Sequence, residues 1–150
     1  MRPVLEQQVR ARGLRENVVL LGHRLDVPAL LERAHVGCLC SHAEGLTNAV
    51  IEYMAASLPA VATAVGGNVE LITEAGSRAS GHLVPPHRPA VLAERLIGLL
   101  RDPARCTALG AARRARVEAD LTLTAMIEKT GALYDQVLSA ARPTKRLRAA

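Results

Sequence analysis

The chain has 150 residues, 49% hydrophobic and 22% charged, with a formal net charge of +5 at pH 7. That composition suits one globular domain able to bury a core and excludes a disordered chain. Tyr53 and Tyr134 are the only aromatics, which excludes a nucleic-acid reader that stacks bases on aromatic platforms.

From the N-terminus, VLEQQVRARGL carries helical spacing at Val4, Leu5, Val9 and Leu14, with Gly13 as a stop signal. NVVLLG (17–22) reads as a short buried strand closed by Gly22. Asp26 is placed to cap the helix VPALLERA, with Pro28 in its first turn. HVGCLCS (35–41) reads as a second strand, and Asn48 or Thr47 as the cap of the helix AVIEYMAAS. PAVATAV is a third strand ending at Gly66 and Gly67. Asn68 then caps the helix VELITEAG, and GHLVPP is a fourth short strand. Beyond Pro86 the pattern is helical. An amphipathic helix covers PAVLAERLIGLLRD, an arginine-rich one follows over 104–118, and the last spans about 123–139. Residues 140–150 read as a basic, disordered tail.

Strands alternating with helices predict an α/β fold with a parallel sheet and helices on both faces. The arginines are scattered, with groups at Arg113, Arg114 and Arg116 and in the tail, and read as a solvated surface compatible with a phosphate-bearing small ligand. No nucleic-acid partner is expected. Cys38, Cys40 and Cys106 read as reduced, buried thiols of a cytoplasmic protein, and the five histidines show no metal-ligand spacing. There is no apolar run of membrane length and no signal-peptide pattern, which leaves at most a peripheral membrane contact. His42 reads as a partly exposed loop residue and Tyr53 as core.

In parallel sheets ligands bind beyond the C-terminal strand ends, where SHAEGLTN and AVGGN both fall. A helix N-terminus offers unpaired N–H groups and partial positive charge, suited to a phosphate or diphosphate, and glycine lets the backbone approach it. Glu44 lies on the loop before such a terminus and Glu52 about one turn inside it. Carboxylates accept hydrogen bonds from hydroxyl pairs, so the two suit a ligand with a central diphosphate and a sugar at each end. Glu70 either faces a ligand or only complements its helix dipole.

The blocks GLRENVVLLGHRLDVPALLERA, SHAEGLTNAVIEYMAASLPAVATAVGGNVELI, GHLVPP, LAERLIGLLRDP and LYDQVL, in this order and spacing, resemble the C-terminal domain of family 4 glycosyltransferases. These are retaining enzymes of two facing Rossmann-like domains, the GT-B fold. The resemblance implies a partial donor-binding domain over 1–139 and transfer of a hexosyl group, with retention, from a nucleotide-diphosphate sugar to an unidentified acceptor. It implies no cofactor and no metal. Glu44 matches the carboxylate against the transferred sugar, hence the catalytic position, and Glu52 the ribose reader. Gly45, Leu46 and Thr47 match donor-loop contacts, Gly22, His23 and Arg24 the segment near the base, and Gly66, Gly67 and Glu70 the loop beside the pocket. The alternative is a non-catalytic remnant that binds a nucleotide sugar or a protein partner.

Tyr53, Ser57 and Cys40 depart from the family's usual alanine, glycine and proline, and EAGSRASGHLV is about two residues longer than usual. The family's domain normally opens with two more strands, which carry an arginine and a lysine that grip the donor phosphates, and an acceptor-binding domain precedes it. A partner bearing the missing half is therefore expected, upstream or as a separate polypeptide, along with a marginal fold for 1–150 alone.

Overall fold

The computed structural model describes residues 1–73 and 82–141; the segment EAGSRASG and the predicted tail beyond residue 141 lie outside them. Pro3, in its first turn, and Gly13, past its end, bound α1 (Arg2–Ala11). Gly13 adopts φ +66°, its amide donating to Arg10 O and that of Leu14 to Val9 O, a Schellman stop. α1 buries none of its residues.

The expected strand at 17–22 does not form. A strand exists only through ladder bonds to a neighbour, and no described strand lies beside this segment. Arg2 Nη2 instead donates to Leu20 O at 2.9 Å, and Val19 and Leu21 remain exposed. Asp26 does not cap α2 (Val27–Leu31) with its side chain. Its carboxylate pairs with the Arg24 guanidinium at 2.7 and 2.5 Å, which holds it below the ordinary carboxylate range.

β1 (Gly37–Leu39), β2 (Ala60–Thr63) and β3 (Leu83–Val84) form a parallel sheet in that order, with Cys38 opposite Val61 and Thr63 opposite Val84. α3 (Asn48–Ala55) links β1 to β2, and α4 (Asn68–Ile72) follows β2. All four residues of β2 are buried, as a central parallel strand requires. Alternation along it feeds two cores. Ala62 joins Val50, Met54, Leu71 and Ile72 beneath α3 and α4, while Val61 joins Val84 and Leu99 beneath α5 (Pro89–Leu100). α6 (Pro103–Asp120), capped by Asp102 accepting from the Arg105 amide at 2.9 Å, lends Val117 to the first core and Leu109 to the second.

Of the arginine group expected to be solvated, Arg113 and Arg116 turn inward, while Arg114 stays half-exposed and pairs with Glu118. Arg113 is 3% exposed and donates to Ile72 O at 3.3 Å, and Arg116 donates to Leu71 O at 2.7 Å and Glu70 O at 3.0 Å. Arg114 donates to Ala55 O. These carbonyls close α4 and α3, where acceptors lack helical partners and positive charge is favoured. Gly110 permits the approach of α6: a Cβ there would lie 1.9 Å from Ser57 O.

Ser57 closes α3 at φ +57°, its amide donating to Met54 O and that of Leu58 to Tyr53 O. The backbone thus demands at this position the left-handed conformation that suits glycine. Ser57→Gly is expected to stabilise the chain by about 0.5–1 kcal/mol, since a side chain costs roughly 1–2 kcal/mol there and glycine's greater unfolded freedom offsets part of it. Thermal unfolding checks this.

Cys38 and Cys40 are exposed rather than buried, at the edge of the sheet that β1 forms among the described strands. Cys106 is half-buried; its thiol donates to Leu99 O at 3.1 Å, and burial pushes it above the ordinary thiol range. Burial on the sheet side pushes Cys38 upward too. Maleimide labelling of the native chain is expected to modify Cys40 first, then Cys38, with Cys106 lagging until denaturant is added.

α7 (Leu123–Ala141) packs on α6 yet leaves Leu123, Met126, Ile127, Tyr134 and Leu138 exposed. Apolar faces are likewise uncovered on α1 and in the 17–25 segment.

Candidate active site

The C-terminal ends of β1 and β2 send two loops, 40–47 and 64–67, into the starts of α3 and α4. The loops touch backbone to backbone. The Gly67 amide donates to Gly45 O at 2.8 Å. A Cβ on Gly67 would lie 2.6 Å from that oxygen, and one on Gly66, at φ +47°, 1.8 Å from Glu44 O. The close approach that requires this glycine pair is therefore that of the neighbouring loop.

Glu44 is half-buried and accepts from Ser41 Oγ at 2.5 Å. The Ser41 carbonyl accepts from Thr63 Oγ1 at 2.6 Å. Thr47 occupies the cap position of α3, but its buried hydroxyl donates to Asn68 Oδ1 at 2.5 Å rather than to the helix. Asn68 does not cap α4: Gly67 takes that position, and Asn68, wholly buried as the first helical residue, donates through Nδ2 to Thr63 O at 3.1 Å. Both side chains are drawn inward by each other, a partnership between distant residues that local capping rules do not see. α3 consequently begins without a side-chain cap, and its first-turn N–H groups can meet an anion. Gly45 and Leu46 stand exposed at the loop tip.

Glu52 is exposed on the flank of α3 and lines a cavity of about 440 Å³ with Val27, Pro28, Leu31, Ser57 and Arg114. The two carboxylates thus open onto different surroundings, Glu44 braced at the sheet edge and Glu52 on a cleft between α2, α3 and α6. Gly22 (φ +72°), His23 and Arg24 are exposed in the segment leading to α2, and Arg24 is engaged by Asp26. The Glu70 side chain is exposed, while its carbonyl is held by Arg116. Tyr53 lies where a Cβ on Gly37 would come within 2.4 Å of its ring, a packing role, and burial pushes its phenol upward.

Two features were not foreseen. His42 stacks on His87 with ring centroids 4.7 Å apart, joining the first loop to the turn after β3. Thr63 and Asn68 tie that loop to the second; small polar residues at a strand end and a helix start were the only local signal of it. Among the described residues no group of three or more His, Cys, Asp or Glu is placed to hold a metal ion. No described helix is long and apolar enough to cross a membrane.

A parallel sheet flanked by helices, with its loops gathered at one edge, is a Rossmann-like arrangement, and solved glycosyltransferases of the GT-B fold share it. A sucrose-phosphate synthase from Thermosynechococcus elongatus superposes with a TM-score of 0.79 over 93% of this chain and 35% of its own, at 31% identity. The chain belongs to the group 1 glycosyl transferases, whose family model matches residues 1–102. A D-inositol 3-phosphate glycosyltransferase of Kineococcus radiotolerans is 42% identical over 90 residues, 55% of this chain and 21% of that protein. An alpha-D-kanosaminyltransferase of Streptomyces kanamyceticus is 34% identical over 105 residues, 68% of this chain and 26% of that protein. The matches thus span about a fifth to a quarter of these curated relatives.

Proposed function

We propose that the chain binds a nucleotide-diphosphate sugar and serves the retaining transfer of its hexosyl group to an acceptor hydroxyl. The observation that carries this is the pair of carboxylates flanking the uncapped start of α3, Glu44 held by Ser41 and Glu52 on an open cleft. Family membership and the sugar-transferring relatives support it. In this reading the amides at Gly45 to Asn48 meet the diphosphate, Glu52 accepts from the ribose hydroxyls and Glu44 lies against the transferred sugar. The bond from the sugar's anomeric carbon to the phosphate oxygen breaks, and its electron pair leaves with the nucleoside diphosphate. The acceptor oxygen then bonds to the same face of that carbon and gives up its proton to the departing diphosphate oxygen. The start of α3, together with the basic pair expected on the missing half, stabilises the leaving diphosphate, so this reading calls for no divalent ion.

Calorimetric titration with UDP- and GDP-sugars tests the proposal. Wild type is expected to bind one of them, and Glu52→Ala to weaken it about tenfold or more, as for the loss of hydrogen bonds to a charged acceptor. No heat with either protein would overturn the reading. The bare apolar faces of α1 and α7 favour a second reading, a binding chain without turnover of its own, which donor binding without transfer would support.

A further inference from the structure

We propose that Thr63 and Asn68 are positioning residues that brace the loop bearing Glu44, so that its carboxylate meets the donor sugar in one fixed geometry. This rests on the reading of Glu44 given above.

The brace is a continuous chain of side-chain hydrogen bonds that leaves the first loop and returns to it. Glu44 Oε1 accepts from Ser41 Oγ at 2.5 Å, and the carbonyl of Ser41 accepts from Thr63 Oγ1 at 2.6 Å. The carbonyl of Thr63 accepts from Asn68 Nδ2 at 3.1 Å, and Asn68 Oδ1 from Thr47 Oγ1 at 2.5 Å. The path thus runs from Glu44 through the last residue of β2 and the first of α4 to the cap position of α3. Thr47, Thr63 and Asn68 are 5, 6 and 0% exposed, so water does not readily replace a missing partner. The Gly67–Gly45 backbone bond runs parallel to it. One carboxylate oxygen of Glu44 is occupied by Ser41, and the other remains to accept from a sugar hydroxyl. A loop carboxylate would otherwise sample several rotamers; here the buried ends of two packed elements fix it.

Because Glu44 reads the sugar, Glu52 the nucleoside and the amides at Gly45 to Asn48 the diphosphate, loosening the brace should weaken a nucleotide sugar more than free nucleotide. The test titrates UDP, UDP-glucose, GDP and GDP-mannose into wild type, Thr63→Val, Thr63→Ser and Asn68→Asp, and follows amide hydrogen exchange of the unliganded chains. Thr63→Val keeps the shape and removes the donor to Ser41; Asn68→Asp removes the donor to Thr63 and sets a buried carboxylate against its carbonyl. Thr63→Val is expected to weaken the nucleotide sugar about tenfold, the loss of one well-made hydrogen bond, and Asn68→Asp more than that, while affinity for free nucleotide falls only about two- to threefold. In the free chain, the amides of Gly67 and Ile51, which donate to Gly45 O and Thr47 O, should exchange about tenfold faster, with those of Ala62 and Leu71 unchanged. Thr63→Ser should restore both. Equal weakening of nucleotide and nucleotide sugar, or exchange that is unchanged at Gly67 and Ile51 or raised equally along β2, would overturn the brace. If wild type binds none of the four ligands, the reading of Glu44 fails, and the exchange result still decides whether the brace exists.

Discussion

Gly66→Ala is expected to separate the two loops and cost the chain about 2–4 kcal/mol, combining left-handed backbone strain with overpacking of a filled site. The methyl carbon would lie 1.8 Å from Glu44 O, at a φ of +47° that alanine resists. The opposing atom is backbone, so no side-chain rotation relieves the overlap. Relief requires one loop to move away from the other, which breaks the Gly67–Gly45 bond. Denaturant unfolding is expected to show a lowered midpoint, and amide exchange an early opening at Gly67. At Gly45, where an added Cβ meets nothing within 4 Å, the same substitution should change stability little.

Met54→Ala is expected to abolish a cooperative thermal transition. Met54 is fully buried and packs in the core with Val50, Ala62, Leu71 and Ile72. Truncating such a side chain costs about 2–5 kcal/mol. Domains hold only about 5–15 kcal/mol in total, and among the described residues this one rests on a sheet of three short strands with much apolar surface uncovered. Met126→Ala, at a position 58% exposed on α7, is the matched control and should shift the melt by less than about 0.5 kcal/mol. Retention of a sharp transition by Met54→Ala would show that the core is larger than its buried residues indicate.

Period and punctuation made the helical half of the chain legible. The spacing of Val91, Leu92, Leu96 and Leu99, bounded by Pro89 and Pro103, fixed α5, and the two helices after it fell within a few residues of expectation. β2 was legible because a central parallel strand is apolar throughout. The strand expected at 17–22 was not, because its apolar run specifies extended backbone only if a neighbour completes the ladder. Side-chain partners failed for the same reason. Asp26, Thr47 and Asn68 each carry a capping group, but Arg24 captures the first, and the other two find each other across 21 positions. The arginines of α6 gave no sign that they would close helices 41 to 59 residues away. At the site, local physics supplied an anion-ready helix start, and the roles of Glu44 and Glu52 came from the resemblance. The glycine pair was noticed for a ligand and is required by a loop.

Mapping backbone amide shifts as a UDP- or GDP-sugar is titrated into the isotopically labelled chain tests most directly whether the start of α3 reads such a donor. The account predicts saturable shifts at Glu44 to Asn48, at Glu52 and at Gly67 and Asn68, with α5 and α7 silent. Saturable shifts confined to other elements, or none at all, would contradict it.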